Sequence, residues 1–188
     1  MDIQRIKDAV RELLIGIGEN PDREGLIETP DRVARMYEEI FAGVSLSNDQ
    51  IADMFTKTFD EDVSNDIVVV RDIPCFSWCE HHMALMYNMR ISIGYLPAGK
   101  VLGLSKLARI ADMVCRRLQI QERIGKDILY IICKACGTKN AAVHIEAEHS
   151  CMTSRGAKKD GCSTTTLTKS GAFNDASMKA EFLRMIGR

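Results

Sequence analysis

Three of the chain's four histidines stand beside thiols, in two segments well separated in sequence: Cys79-Glu80-His81-His82, and His149-Ser150-Cys151 followed by Arg155. A fold that lets one metal ion use both segments must bring residues 79 and 151 to a common point. With Cys79, His82 and Cys151 as ligands, a zinc ion would have two soft thiolates, one imidazole and a fourth position open to water. That is the arrangement of a catalytic rather than a structural site. Zinc lowers the pKa of a bound water to about 7. His81 and His149 would flank that water as proton carriers, because imidazole titrates near neutrality without help.

At 188 residues with 46% hydrophobic content, the chain has ample apolar material for a core. No apolar run approaches the roughly 20 residues that span a bilayer, and Met1-Asp2-Ile3-Gln4-Arg5 lacks a signal-peptide core, so the expected location is cytoplasmic. Twenty-five basic residues against 26 acidic ones leave a net charge of −1, which gives no bulk electrostatic case for nucleic acid or membrane as a partner. An anionic ligand would have to be held locally. Seven cysteines, an odd number, point to reduced thiols and metal ligation rather than a disulfide framework.

Ile3, Ile6, Val10, Leu13, Leu14 and Ile17 recur at helical spacing, and Gly18 and Pro21 end that helix. A second helix is expected from Thr29 as N-cap and Pro30 as first helical residue, with Val33, Met36, Tyr37 and Ile40 as its stripe. Asn48 to Phe55 suits a short third. Ile67 to Val70 reads as a buried strand, and Met89, Ile91, Ile93 and Tyr95 as a second, stopped by Pro97. Two helix faces then span about 103 to 135 and separate these strands from a second pair. From 141 the period is two: Ala141, Val143, Ile145 and Ala147 on an inward face, Ala142, His144, Glu146 and Glu148 on a polar one. Continued, that alternation turns His149 and Cys151 inward. Ser163 to Ser170 is the last strand candidate, and Phe182, Met185 and Ile186 suggest a C-terminal helix. The expected division is an N-terminal helical region, 1–60, and a catalytic domain, 61–188.

Taken singly, other polar residues read blandly. Arg32 and Arg35 suit a solvated helix face, Ser105 a helix N-cap, and Gln121-Glu122 an exposed turn. Cys75, Cys115 and Cys162 read as structural thiols and His144 as a polar-face strand residue. Cys133-Lys134-Ala135-Cys136 lacks the second such pair that a zinc ribbon needs, and reads as a helix end with incidental thiols.

The ordered blocks Glu28-Thr29-Pro30-Asp31-Arg32-Val33-Ala34, Cys79-Glu80-His81-His82, Gly94-Tyr95-Leu96-Pro97, Gly103 to Ile110, Gln119 to Arg123 and His149-Ser150-Cys151-Met152 with Arg155-Gly156 make the chain resemble GTP cyclohydrolase I, over roughly residues 24 to 173. That resemblance implies an α+β tunnelling fold: a four-stranded antiparallel sheet with two helices inserted between its middle strands, preceded by N-terminal helices. It also implies a toroidal homodecamer of two pentamers, with active sites at subunit interfaces and GTP as substrate.

Residue by residue, the resemblance makes Cys79, His82 and Cys151 the zinc ligands that place a water against C8 of guanine. His149 would protonate N7, after which the imidazole ring opens and formate leaves. His81, helped by Ser105, would serve the rearrangement to 7,8-dihydroneopterin triphosphate. Gln121 and Glu122 would recognise guanine, rejecting adenine because buried polar groups would go unpaired. Arg32, Arg35, Lys106, Arg109 and Arg155 would hold the triphosphate, arginine through its planar donor fork. Position 35 is more often lysine in this family.

The chain departs from the family pattern in two places. Met83 to Met89 lacks the expected turn glycine, and His82 to Pro97 is one residue longer than usual, so that hairpin must turn differently. Gly125 replaces a more usual threonine. Two rival readings remain: a zinc nucleobase deaminase, whose His-x-Glu and Pro-Cys-x-x-Cys signature fits poorly here, and a zinc-stabilised toroid that binds nucleotide without turnover.

Overall fold

In the computed structural model, which describes residues 1–60 and 66–188, the chain divides into two units, Met1–Ala42 and Gly43–Arg188. The boundary expected between residues 60 and 61 adjoins 61–65, which lie outside the described residues.

The first unit holds α1 (Ile3–Gly16) and α2 (Thr29–Ile40). Asp2 caps α1 by accepting from the Arg5 amide at 3.0 Å. Of the apolar stripe on α1, Leu14 is buried while Leu13 and Ile17 stay exposed. In α2 the expected cap is one residue late. Thr29 and Pro30 are already helical, and Glu28 stands at the cap position without a capping side-chain bond. Proline is tolerated there because first-turn amides have no intrahelical partner.

The second unit opens with α3 (Asn48–Met54), held by a capping box between Ser47 and Gln50. Then come β1 (Thr58–Asp60), β2 (Val68–Cys79), β3 (Ala84–Tyr95), β4 (Lys100–Leu102), α4 (Leu104–Cys115), β5 (Leu118–Gln119), α5 (Gln121–Cys136), β6 (Ala141–His149), α6 (Ser150–Thr153), β7 (Ser163–Ser170) and α7 (Ala176–Met185). The main sheet runs β5-β2-β3-β6-β7. Its four long strands are antiparallel, β5 joins parallel to β2 at Trp78–Cys79, and α4 and α5 lie in sequence between β3 and β6. The expected α+β arrangement is therefore present, with the short β5 and a β1–β4 pair added.

β2 reaches well beyond Val70 and through Pro74, to the first thiol of the metal loop. Proline is tolerated because β5 pairs only with the far end of β2, leaving Pro74 on an edge. Val68 to Val70 are half-buried rather than fully buried.

One face of the sheet packs against α4 and α5, with α3 seated on α5, through Ile51, Ile91, Ile93, Leu107, Ile110, Ile124, Ile128, Ile131, Val143 and Ile145, all fully buried. Each such side chain contributes roughly 1.5–3 kcal/mol of hydrophobic stabilisation. The opposite face is covered as well. Ala142 packs with Phe173, Phe182 and Ile186, and the two phenylalanine rings meet edge to face at 5.8 Å. This second layer corrects the expectation of a polar outer face: His144 is 5% exposed. Gly94 permits the approach of α7, since a Cβ there would lie 2.7 Å from the Phe182 ring.

Candidate active site

The β2–β3 hairpin builds the first half of the site. Cys79 ends β2, buried, and the turn Glu80–Met83 presents His81 and His82 to solvent. Where the chain lacks a turn glycine, Met83 itself takes the left-handed conformation at φ +50°. Beyond the turn β3 carries one more residue than either neighbouring strand, a bulge at Asn88 (φ +48°). Asn88 donates from Nδ2 to Glu148 at 2.8 Å, which fixes the bulge against β6.

The second half comes from the end of β6. The strand stops at His149, and Cys151 sits on α6, so the expected continuation of the alternation to residue 151 does not occur. The helical turn still delivers the thiol. Ligand atoms of Cys79, His82 and Cys151 all lie within 4.8 Å of one another, the one such group of three among the described residues.

The chemistry of this donor set suits a metal ion. Burial, and then the neighbouring Cys79 thiol, push the Cys151 thiol above its usual range. Two thiolates side by side repel each other, and a cation between them reverses that penalty and deprotonates both. The set offers two sulfurs and one imidazole, a borderline-soft combination with room for a further ligand. Around it, Cys79 Sγ lies 3.6 Å from His81 Nδ1, and Arg155 donates from Nη1 to His82 Nε2 at 3.1 Å.

Gln121 begins α5 and is 2% exposed, so it is no exposed turn. Its amide reaches Ile145 and Thr164 backbone oxygens and the Thr166 hydroxyl, and its Oε1 lies 2.9 Å from His149 Nε2. His149 is half-buried, which lowers its pKa, while the nearby Glu122 carboxylate opposes that shift. Glu122 itself is exposed.

Glu80 and Arg123 were not expected in the site, although each lies inside a motif that was. The Glu80 amide donates to Gln119 O at 3.0 Å, and its carboxylate forms a two-point ion pair with Arg123. The metal loop is thereby joined to the start of α5.

Other expected residues stand on α4 and α2. Ser105, Lys106 and Arg109 occupy the first turns of α4, whose N-cap position is Gly103, so Ser105 is not a cap. Lys106 bonds the Lys57 carbonyl. Among the described residues none of the three is hydrogen-bonded to the Cys79–His82–Cys151 group. Arg32 and Arg35, in the first unit, pair with Glu28 and Asp31 on their own helix.

The Cys-x-x-C pair closes α5, as expected. Burial raises the Cys133 thiol and pushes Cys136 up to about 12, which favours the protonated form of both and lowers their reactivity as free thiols. Gly125 lets α5 lie close on β7: a Cβ there would fall 2.5 Å from Thr168 Oγ1.

A family model described as GTP cyclohydrolase I matches residues 6–187. Curated relatives are similar over nearly the whole chain. A GTP cyclohydrolase 1 of Clostridium botulinum (strain Loch Maree / Type A3) is 53% identical, covering 99% of this chain and 97% of its own. One of Clostridium acetobutylicum is 54% identical, covering 98% and 97%, and one of Ruminiclostridium cellulolyticum 54% identical, covering 92% and 91%. No helix among the described residues is long and apolar enough to cross a membrane.

Proposed function

The chain belongs to the GTP cyclohydrolase I family, and from that premise we propose that it opens the imidazole ring of GTP at C8, releases formate and rearranges the product to 7,8-dihydroneopterin triphosphate, as a zinc-dependent cytoplasmic enzyme of pterin and folate biosynthesis. The observation that carries this reading is the convergence of Cys79, His82 and Cys151 from two distant segments, with His149 half-buried at the end of the strand that leads to Cys151.

A zinc ion held by these three residues supplies, when bound, a coordinated water acidified to a pKa of about 7. The chain's own groups do the rest. His149 hands a proton to N7, which makes C8 electrophilic. Glu122 accepts hydrogen bonds from the N–H edge of guanine, a donor pattern adenine lacks. Arg155, Lys106, Arg109, Arg32 and Arg35 neutralise the triphosphate, Arg155 from a position beside His82. His81, with Ser105, moves the proton near the ribose ring oxygen during rearrangement.

Among the described residues Ser105, Lys106 and Arg109 make no hydrogen bond to Cys79, His82 or Cys151, which is compatible with a site completed by neighbouring copies. On this reading the copies form the family's decamer of two pentamers.

Anaerobic incubation of zinc-loaded protein with GTP tests the reading. Formate and an oxidisable fluorescent pterin are expected from the wild type, and both disappear in His149→Ala. His81→Ala is expected to keep formate and lose pterin. Neither product from fully zinc-loaded wild type would overturn the reading in favour of a toroid that binds nucleotide without turnover.

A further inference from the structure

We infer that Gln121 is a positioning residue that fixes the tautomer of His149, holding the proton on Nε2 and leaving Nδ1 as the atom that exchanges protons with substrate. This inference rests on the proposed reaction for its catalytic meaning, and on geometry alone for the tautomer.

The direction of the Gln121 amide is decided by its neighbours. Its Nε2 lies 3.1 Å from Ile145 O and 2.9 Å from Thr164 O. Peptide oxygens only accept, so the amide –NH2 must face them, with the Thr166 hydroxyl at 3.3 Å as a third neighbour. Reversing the amide would set its oxygen against two carbonyl oxygens in a site 2% exposed, a repulsive contact that also strands the buried –NH2. Oε1 is therefore the atom that faces His149 Nε2 at 2.9 Å. An amide oxygen only accepts, so His149 must donate from Nε2.

A neutral imidazole has one N–H. With it committed to Gln121, Nδ1 keeps the lone pair, and among the described residues Nδ1 has no hydrogen-bond partner. When His149 carries a second proton, Nε2 still donates to the same oxygen. Gln121 thus serves both protonation states without moving, while Nδ1 gains the proton and gives it to the base nitrogen, returning the ring to its starting form. Orientation of an imidazole by a fixed neighbour is a recurring requirement of acid–base sites. The Gln121 –NH2, by contrast, has no donor left for guanine, with three acceptors around its two hydrogens, and one lone pair of Oε1 is held by His149. Base recognition then falls to Glu122 and to backbone groups.

Two measurements test this. Neutron diffraction from deuterated crystals of the zinc-loaded wild type is expected to show deuterium on His149 Nε2; deuterium on Nδ1 alone would overturn the proposal, whatever the turnover. That readout needs no variant and no reaction, so it separates failure of the tautomer lock from failure of the cyclohydrolase reading. In steady-state assays, Gln121→Ala is expected to lower kcat at least about tenfold with the KM for GTP within about threefold, whereas Glu122→Gln raises KM. A Gln121→Ala enzyme with unchanged kcat and a raised KM would return the residue to guanine binding and sink the inference.

Discussion

The carboxylate of Glu80 and the guanidinium of Arg123 meet in a two-point ion pair, at 2.5 Å and 3.1 Å. Glu80 is the middle of the loop between Cys79 and His82, and Arg123 lies in the first turn of the helix that begins with Gln121. Arg123 also holds the Glu80 carboxyl below its usual range. The Cys79–His82 loop is thereby tied to the first turn of α5.

Arg123→Ala is therefore expected to speed zinc release to a chelator and to lower kcat/KM, each by roughly tenfold, as for other residues that orient metal ligands from behind. Stopped-flow chelation and formate assays read the two effects. Unchanged rates in both would show that the pair is only surface decoration.

Gly43 lies where no side chain fits. A Cβ there would stand 2.2 Å from Met113 O and 2.9 Å from Arg116 O, both backbone atoms that cannot swing aside. Its amide donates to Arg116 O at 3.0 Å, and Arg117 Nε donates back to Gly43 O at 3.0 Å. Gly43→Ala is expected to cost about 1–3 kcal/mol, read as a lower denaturation midpoint. An unaltered midpoint would contradict the close approach.

Burial lowers the pKa of His144 from its ordinary 6.5, outweighing the raising effect of Glu146. An unfolded chain then binds the proton more readily than the folded one. The sign follows: stability from this group is complete above 6.5 and is lost as pH falls through the folded value. The melting temperature is expected to fall between pH 7 and 5, and to fall less steeply in His144→Gln. Equal slopes would remove His144 from the account.

Arg155 donates to His82 and belongs, on the proposed reading, to the triphosphate grip. Arg155→Ala is expected to raise the KM for GTP by about tenfold or more, from loss of a charge-assisted contact. A KM that stays put would assign the residue to the metal loop alone.

Much of this was legible in sequence because the patterns were locally consistent. Strand β6 alternates from Val143 to Glu148, α4 and α5 show clean apolar faces, and the Cys/His segments name their own chemistry. What escaped notice depended on distant partners. His144 reads as polar-face until Phe173, Phe182 and Ile186 cover that side of the sheet. β2 runs past the apolar segment Ile67 to Val70 on to Cys79, its edge position tolerating Pro74. Cys151 leaves the strand because a helical turn intervenes at Ser150, and no periodicity in that short segment signals the change. Gln121 reads as an exposed turn because its four side-chain hydrogen-bond partners, His149 among them, come from β6 and β7.

The most direct test of the central claim is formate release during titration of zinc into metal-free protein, beside Cys151→Ser. The account predicts that turnover of GTP rises linearly and saturates at one zinc per chain, and that the variant stays flat at the same zinc additions. Formate production that ignores zinc, or a Cys151→Ser enzyme that matches the wild type, would contradict a metal centre built from Cys79, His82 and Cys151.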